Sequence, residues 1–450
     1  MSRFFCTNLR RLVLAVAAIA AIGTIATDAN AQFFRNPSVG GVKIDTDGVL
    51  SNPQVGELKQ LQAAWQKGLE QVPADLEKWT DLRFVSLKQL ESEVAAARAA
   101  GKQIPESVRY MAGLQRVRYV LVYPEKQDIV LAGPAEGWKV DTLGCVVGAT
   151  SNRPVLTLDD LMVALRVAEG SNGNGISCSI DPTLEGMQRM QQLSGQLDNR
   201  NGPQAAAKRM EDAVGMQTIS VTGVPETSHF ARVLVAADFR MKRIAMDFEP
   251  APVKGMPSFL TMVNPKGRGM NNLLPRWWLA PNYEPLARTA DGLGWELRGQ
   301  GVKCMSNEDY VDSTGQKTNA VSKNPAAEKW AATMTEKYPE LAERDSSFGE
   351  LRNIMDLAVI GALIEKERLL DIANLQLPRL MGEQPIERYP APKQTASKAS
   401  AIKQRGGWVI SASGGVEMLP WHIAGETETV DAVGDVRGEM SADVDEIWWE

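Results

Sequence analysis

The sequence predicts an α+β fold of mixed helices and short antiparallel strands, with a helical C-terminal part and a disordered tail. Three observations carry that expectation. Apolar residues recur at steps of three and four in several stretches, and residues suited to capping stand where those stretches begin. Between them lie β-rich runs separated by turn residues, without the regular strand-helix alternation of a doubly wound sheet.

In chain order, Val55, Leu58, Leu61, Trp65, Leu69 and Val72 form one helical stripe. Ser86 with Gln89 makes a capping box for a helix that stops at Gly101. "QRVRYVLVYPEKQDIVLAG", residues 115–133, reads as two strands around a Pro-Glu-Lys-Gln turn. Thr157 and Asp160 cap the next helix, and "ISCSIDPTLEGMQRMQQL" turns a strand into a helix with Asp181 as N-cap and Pro182 at the first position. A short helix around Met210 and a strand at "QTISVTGV" follow. Residues 264–285, "NPKGRGMNNLLPRWWLAPNYEP", are too rich in turn residues for a long regular element, whereas Asp291-Gly292 signals a hairpin. Trp330, Met334 and Tyr338 share a helical face, and Ser347 with Glu350 caps a long helix whose apolar stripe is interrupted at Asp356.

The ends set the organisation. Arg3, Arg10 and Arg11 precede an apolar run from Leu12 to Ile25 and the small residues Ala29 and Ala31, so residues 1–31 read as a cleaved signal peptide. That run falls short of the roughly 20 residues a spanning helix needs. The expected division is then a lead-in at 32–54, an α+β region at 55–215, a second at 216–377 ending in helices, and a linker with a mostly disordered acidic tail at 378–450. The expected location is periplasmic or extracellular, with no transmembrane segment once the signal is removed. Removing three arginines and one aspartate from 49 basic and 55 acidic side chains leaves 46 and 54, a net charge of −8. With no dense basic run, nucleic acid is not an expected partner.

Chemistry is sparsely signalled. Only His229 and His422 are present, with no HExxH, Cys-x-x-Cys, P-loop or Gly-x-Ser-x-Gly pattern, so neither metal nor cofactor is implied. "DTDG" at 45–48 resembles half a calcium loop but lacks the rest, and reads as a plain turn. Ser228, His229 and Asp238 have the residue types of a hydrolytic triad. However, Phe230, Val233, Leu234, Ala237, Met241, Ile244 and Ala245 mark the segment 226–246 as an amphipathic helix, with Arg232, Arg240 and Arg243 towards the other side. On it, nine residues put Asp238 roughly 13 Å along the axis from His229. Ser228 is then the N-cap and Asp238 an ion-pair partner of Lys242. His229 stays open, as a structural hydrogen-bonder or as a general base with a distant carboxylate such as Glu226 or Asp181. Asp181, Glu136 and Asp238 are the carboxylates a hydrolase would use. In an exported chain Cys145 and Cys178 are the favoured disulfide, against three reduced thiols that include Cys304.

"LAGPAEGW" (131–138), "CSIDPT" (178–183), "SHFARVLVAADFRMKRIAM" (228–246) and "ELRNIMDLAVIGALI" (350–364) together resemble a family of exported bacterial proteins, abundant in planctomycetes, of unknown function. The resemblance implies one unit with a signal peptide and brings no activity, cofactor or catalytic residue. Two functions remain: a non-catalytic binding or scaffolding protein of the cell envelope with an unidentified envelope or protein partner, and a hydrolase working through carboxylates.

Overall fold

A computed structural model describes residues 41–53, 66, 68–171, 173–194, 202–263, 274–311, 317–319, 325–402, 408–410, 412–438 and 447–450, to which all statements below refer. The signal-peptide expectation, residues 32–40 of the lead-in, and Val55, Leu58, Leu61 and Trp65 of the first stripe lie outside them.

The fold is α+β. Nine strands form one sheet in the order Lys43–Ile44, Val49–Ser51, Gln394–Ala396, Met216–Thr222, Ile176–Pro182, Ser413–Met418, Leu274–Asn282, Gly301–Val311 and Lys317–Asn319. A second sheet of seven runs Thr427–Thr429, Leu286–Arg288, Gly294–Glu296, Tyr119–Tyr123, Asp128–Ala135, Thr80–Ser86 and Trp448–Trp449. The expected hairpins are present: Tyr119–Tyr123 pairs antiparallel with Asp128–Ala135 around Pro124–Lys126, and Leu286–Arg288 with Gly294–Glu296 around Asp291 and Gly292. "DTDG" is the plain turn between the first two strands. Asp45 Oδ1 accepts from the amides of Asp47 and Val49, and Gly48 takes φ +83°.

Caps follow the sequence with small shifts. Ser86 Oγ accepts from the Gln89 amide and Ser228 Oγ from that of Ala231, so the helices Leu87–Ala99 and His229–Ala245 start as expected. Two caps move. Asp181 stays in its strand and Thr183 Oγ1 accepts from the Gly186 amide, starting the helix Leu184–Ser194. Asp345, not Ser347, caps the helix Ser346–Lys366 by accepting from the Ser347 amide. In both cases the sheet or the preceding helix fixes where the chain turns, and the nearest polar side chain caps it there.

Residues 274–282 are a correction. They form a nine-residue strand, paired antiparallel along its length with Gly301–Val311 and parallel, over Arg276–Leu279, with Ser413–Val416. Pro275 and Pro281 flank the stretch that is paired on both sides, so their missing amide hydrogens do not break it. The tail also differs from its composition. Residues 413–438 and 447–450 carry strands of both sheets and the helix Ala432–Gly438, while 439–446 lie outside the described residues. Two glycines of this end segment are close-packing positions: a Cβ on Gly414, at φ +125°, would lie 1.9 Å from Trp277 O, and one on Gly415 1.9 Å from Cys178 O.

One core joins the layers, extending from Val42 to Ala424. At its centre the helix Ser346–Lys366 is buried from Ser346 to Ile364. It packs on the helices Leu158–Ser171, His229–Ala245 and Pro325–Arg344. Asp356, the interruption in its stripe, is fully buried and meets Arg116 at 2.8 Å, while Tyr283 Oη donates to it at 2.6 Å. No helix among the described residues is long and apolar enough to cross a membrane.

Candidate functional site

Three helices begin around one pocket of about 420 Å³. The helix Leu158–Ser171 brings Thr157 and Asp159, His229–Ala245 brings His229, and Ser346–Lys366 brings Glu350 from its second turn. The segments 102–110 and 384–389 complete the wall, the first with Arg109 and Tyr110, the second with Glu387 and Tyr389. Apolar side chains between them, Ile104, Val146, Val155 and Leu158 among them, give the cavity its shape.

His229 is 8% exposed, and its Nδ1 lies 2.8 Å from Asp160 Oδ2. Thr157 Oγ1 donates to the same oxygen at 2.8 Å. Burial disfavours charge on the imidazole, but the Asp160 carboxylate outweighs it and raises the pKa to about 9. At neutral pH the ring is therefore an imidazolium, a hydrogen-bond donor and a poor proton acceptor.

Glu350 is 7% exposed. Its Oε2 has no hydrogen-bond partner, and the Cys145 thiol donates to the carboxyl. Burial pushes it up to about 7 against the opposing field of His229. Burial also lifts Asp159 to about 6, although the Glu387 amide donates to its Oδ2 at 3.2 Å. Arg109 pairs with Glu387 at 3.2 Å, Tyr389 Oη donates to Glu387 Oε2 at 3.3 Å, and the Arg232 guanidinium lies 4.9 Å from the Tyr389 ring centre. The 384–389 segment is thus tied to two of the three helix starts.

The sequence candidates do not meet here. His229 lines the pocket; Glu136 and Asp181 do not. Glu136 is buried and accepts from Gln115 Nε2 at 2.9 Å, the Ser151 amide at 2.8 Å, and both the amide and hydroxyl of Thr150. Burial opposes its charge, yet hydrogen bonds from Ser151, Thr150 and Gln115 hold the carboxyl below the usual range. It anchors the turn at 148–151, where a Cβ on Gly148 would lie 2.1 Å from its Oε1. Asp181 sits in the nine-stranded sheet, 3.8 Å from Arg276. Asp238 is fully buried against Lys242 at 2.8 Å, and the same ammonium donates at 3.0 Å to both Ile180 O and Gly414 O. This is an internal clamp between helix and sheet, so the pair expected on the charged outer side is instead buried.

The disulfide is likewise corrected. Cys145, Cys178 and Cys304 are buried free thiols and none are at bonding distance. Cys145 lies beside Glu350, while Cys178 sits in the strand Ile176–Pro182 with Gly415 packed on its carbonyl. Among the described residues no three His, Cys, Asp or Glu side chains gather as a metal-binding group.

The residues that sequence reasoning missed are Asp159, Asp160, Glu350 and the Glu387–Tyr389 pair. Asp160 and Glu350 carried a signal, but it was the signal of a helix start. Residues 178–259 match a family described as a protein of unknown function (DUF1598). The match takes in His229 and the Asp238–Lys242 clamp, and leaves Asp159, Asp160, Glu350 and Tyr389 outside. Comparisons with curated proteins and with solved structures find no match.

Proposed function

We propose that the protein is an exported, non-catalytic binding protein of the cell envelope, and that the pocket at the three helix starts receives a small polar ligand. The observation that carries the binding reading is Glu350, a carboxyl 7% exposed that lines a 420 Å³ cavity with one oxygen unpartnered. Buried polar atoms are nearly always hydrogen-bonded, and a ligand entering the cavity that Glu350 lines would supply the missing partner. Export is supported by the signal-peptide pattern of residues 1–31.

The binding reading is tested by thermal-shift screening of the purified protein against a chemically broad set of small polar compounds, repeated with Asp159→Asn and Tyr389→Phe. A stabilising compound whose effect falls in both variants is the expected result. If every hit acts equally on the variants, the pocket is not where it binds. For export, the N-terminus of the protein recovered from its source cells is expected at Gln32, and an intact Met1 or Ser2 terminus would remove that part.

A hydrolase is the second reading. It is favoured by a buried carboxyl at about 7, which suits a general acid. Its carboxylates would be Glu350 and Asp159 in place of Asp181 and Glu136. Turnover of a glycan, peptide or ester that is abolished by Glu350→Gln would establish it over simple binding.

A further inference from the structure

The salt links around the pocket leave a specific imbalance. Of the acids at its wall, Glu387 is paired with Arg109, and Asp160 behind it with His229. Asp159 and Glu350 have no ion-pair partner within salt-bridge distance among the described residues. Asp159 accepts one backbone amide, and Glu350 one thiol hydrogen bond. The rings of Tyr110 and Tyr389 stand in the same wall.

We propose that the ligand carries an ammonium group, received by the carboxylates of Asp159 and Glu350 against the tyrosine-bearing wall; this rests on the binding reading above. Two buried carboxylates outside any salt bridge are costly even in the field of His229, Arg232, Arg109 and Arg166, and a cation from outside supplies the direct contact that the fold does not. Aromatic faces add attraction for the same charge, as Tyr389 already shows with Arg232. An anion would instead meet these two acids as like charges.

The charged neighbours of each acid fix how binding responds to pH. Asp159 faces Asp160 and Arg166 on its own helix, with Glu387 and Arg109 opposite. Glu350 faces His229 and Arg232 from one helix, with Asp160, Asp141 and Cys145 from the others. Both acids are held partly protonated by burial, at about 6 and about 7, so an arriving ammonium displaces protons.

The experiment is titration calorimetry of the purified protein with matched probes, glucosamine against glucose, putrescine against 1,4-butanediol and glycinamide against acetamide, with succinate as the anionic probe. Each is run at pH 5.5 and 7.5 in two buffers of different ionisation enthalpy. Expected is binding by at least one amine and not its neutral counterpart, at least tenfold tighter at pH 7.5, with proton release, and weakened at least tenfold by Asp159→Asn. Because proton release is read on the unaltered protein, a variant that fails to fold does not decide the result. If glucose, succinate or another neutral or anionic compound binds, loses affinity in Asp159→Asn and Tyr389→Phe, and no amine competes with it, the cation assignment falls while the pocket remains a binding site. If compounds of every charge class leave the protein unchanged, both readings fall.

Discussion

His229 owes its charge chiefly to Asp160, with a smaller contribution from Glu350. Its raised pKa, about 9 against an ordinary 6.5, means that the folded state binds the proton more tightly than the unfolded chain. The stabilisation is therefore fully present below about pH 6.5 and lost as pH rises through 9, and a shift of this size corresponds to on the order of 3 kcal/mol. Glu350, raised by burial to about 7, acts with the same sign: its contribution is complete below the ordinary glutamate range and declines towards pH 7. Urea denaturation at pH 6, 7.5 and 9 should show stability falling with pH, and His229→Gln should flatten the upper part of that fall. The same substitution strands Asp160 without its counter-charge, at a cost of about 3–5 kcal/mol at pH 6. A wild-type profile that is flat between pH 6.5 and 9 would mean that the Asp160 contact does not set the charge. Arg116 and Asp356 give a second test. Arg116→Met leaves a fully buried aspartate without its ion-pair partner and should destabilise by about 3–5 kcal/mol, whereas adding Asp356→Leu should recover most of the loss. At this scale the sequence was only partly readable. It placed His229 at a helix start, but its partner Asp160 is 69 residues away and carried the pattern of a local cap, which it also fulfils through Thr157. Glu350 was hidden in the same manner, by matching a capping box that the helix does not use.

The elements themselves were more legible than their partners. Periodicity found the helices His229–Ala245 and Ser346–Lys366, because a stripe repeating at three and four is a property of one segment alone. Burial on the remaining faces was not legible, since Arg232 stacks on Tyr389 and Lys242 is enclosed by strands distant in sequence. The strand Leu274–Asn282 was missed because its prolines are tolerated only through where the neighbouring strands pair. Close approach between helices is also a relation between segments, and Gly361 shows it at the centre of the core. A Cβ there would lie 2.6 Å from Ala164 O and 2.9 Å from Ala164 C, backbone atoms that cannot rotate away. Gly361→Val should therefore push the helix Leu158–Ser171 off Ser346–Lys366, costing roughly 1–3 kcal/mol or more. Because both helices also position pocket residues, ligand binding should weaken as well. Gly170→Ala, where the added methyl has nothing within 4 Å, is the control and should leave both properties nearly unchanged. Chemical denaturation of the two variants separates these outcomes, and equal stability would show that the helices do not pack this closely.

For the whole molecule, the order of strands in space departs most from their order in the chain. Ile176–Pro182 lies between Met216–Thr222 and Ser413–Met418, and Tyr119–Tyr123 lies between Asp128–Ala135 and Gly294–Glu296. Each sheet thus draws strands from both sides of residue 215, and from beyond residue 377 as well. Composition cannot reveal this, because long-range pairing leaves no periodic trace in either partner. The consequence concerns fragments. A chain ending at residue 215 would keep Ile176–Pro182 but lose the strands on both its edges, exposing unpaired amides and carbonyls together with Ile176, Cys178 and Ile180 from the core. The segment 216–377 would retain His229 and Glu350 and lose Asp160 and Tyr389, so neither half could assemble the pocket. Expressed separately, residues 41–215 and 216–377 should show poorly dispersed amide spectra and no cooperative transition, while residues 41–450 should fold. Truncating at residue 411 should be nearly as damaging as cutting at 377, since removing Ser413–Met418 splits the nine-stranded sheet between Ile176–Pro182 and Leu274–Asn282. A folded, cooperatively melting 41–215 fragment would overturn this view and restore two separable regions.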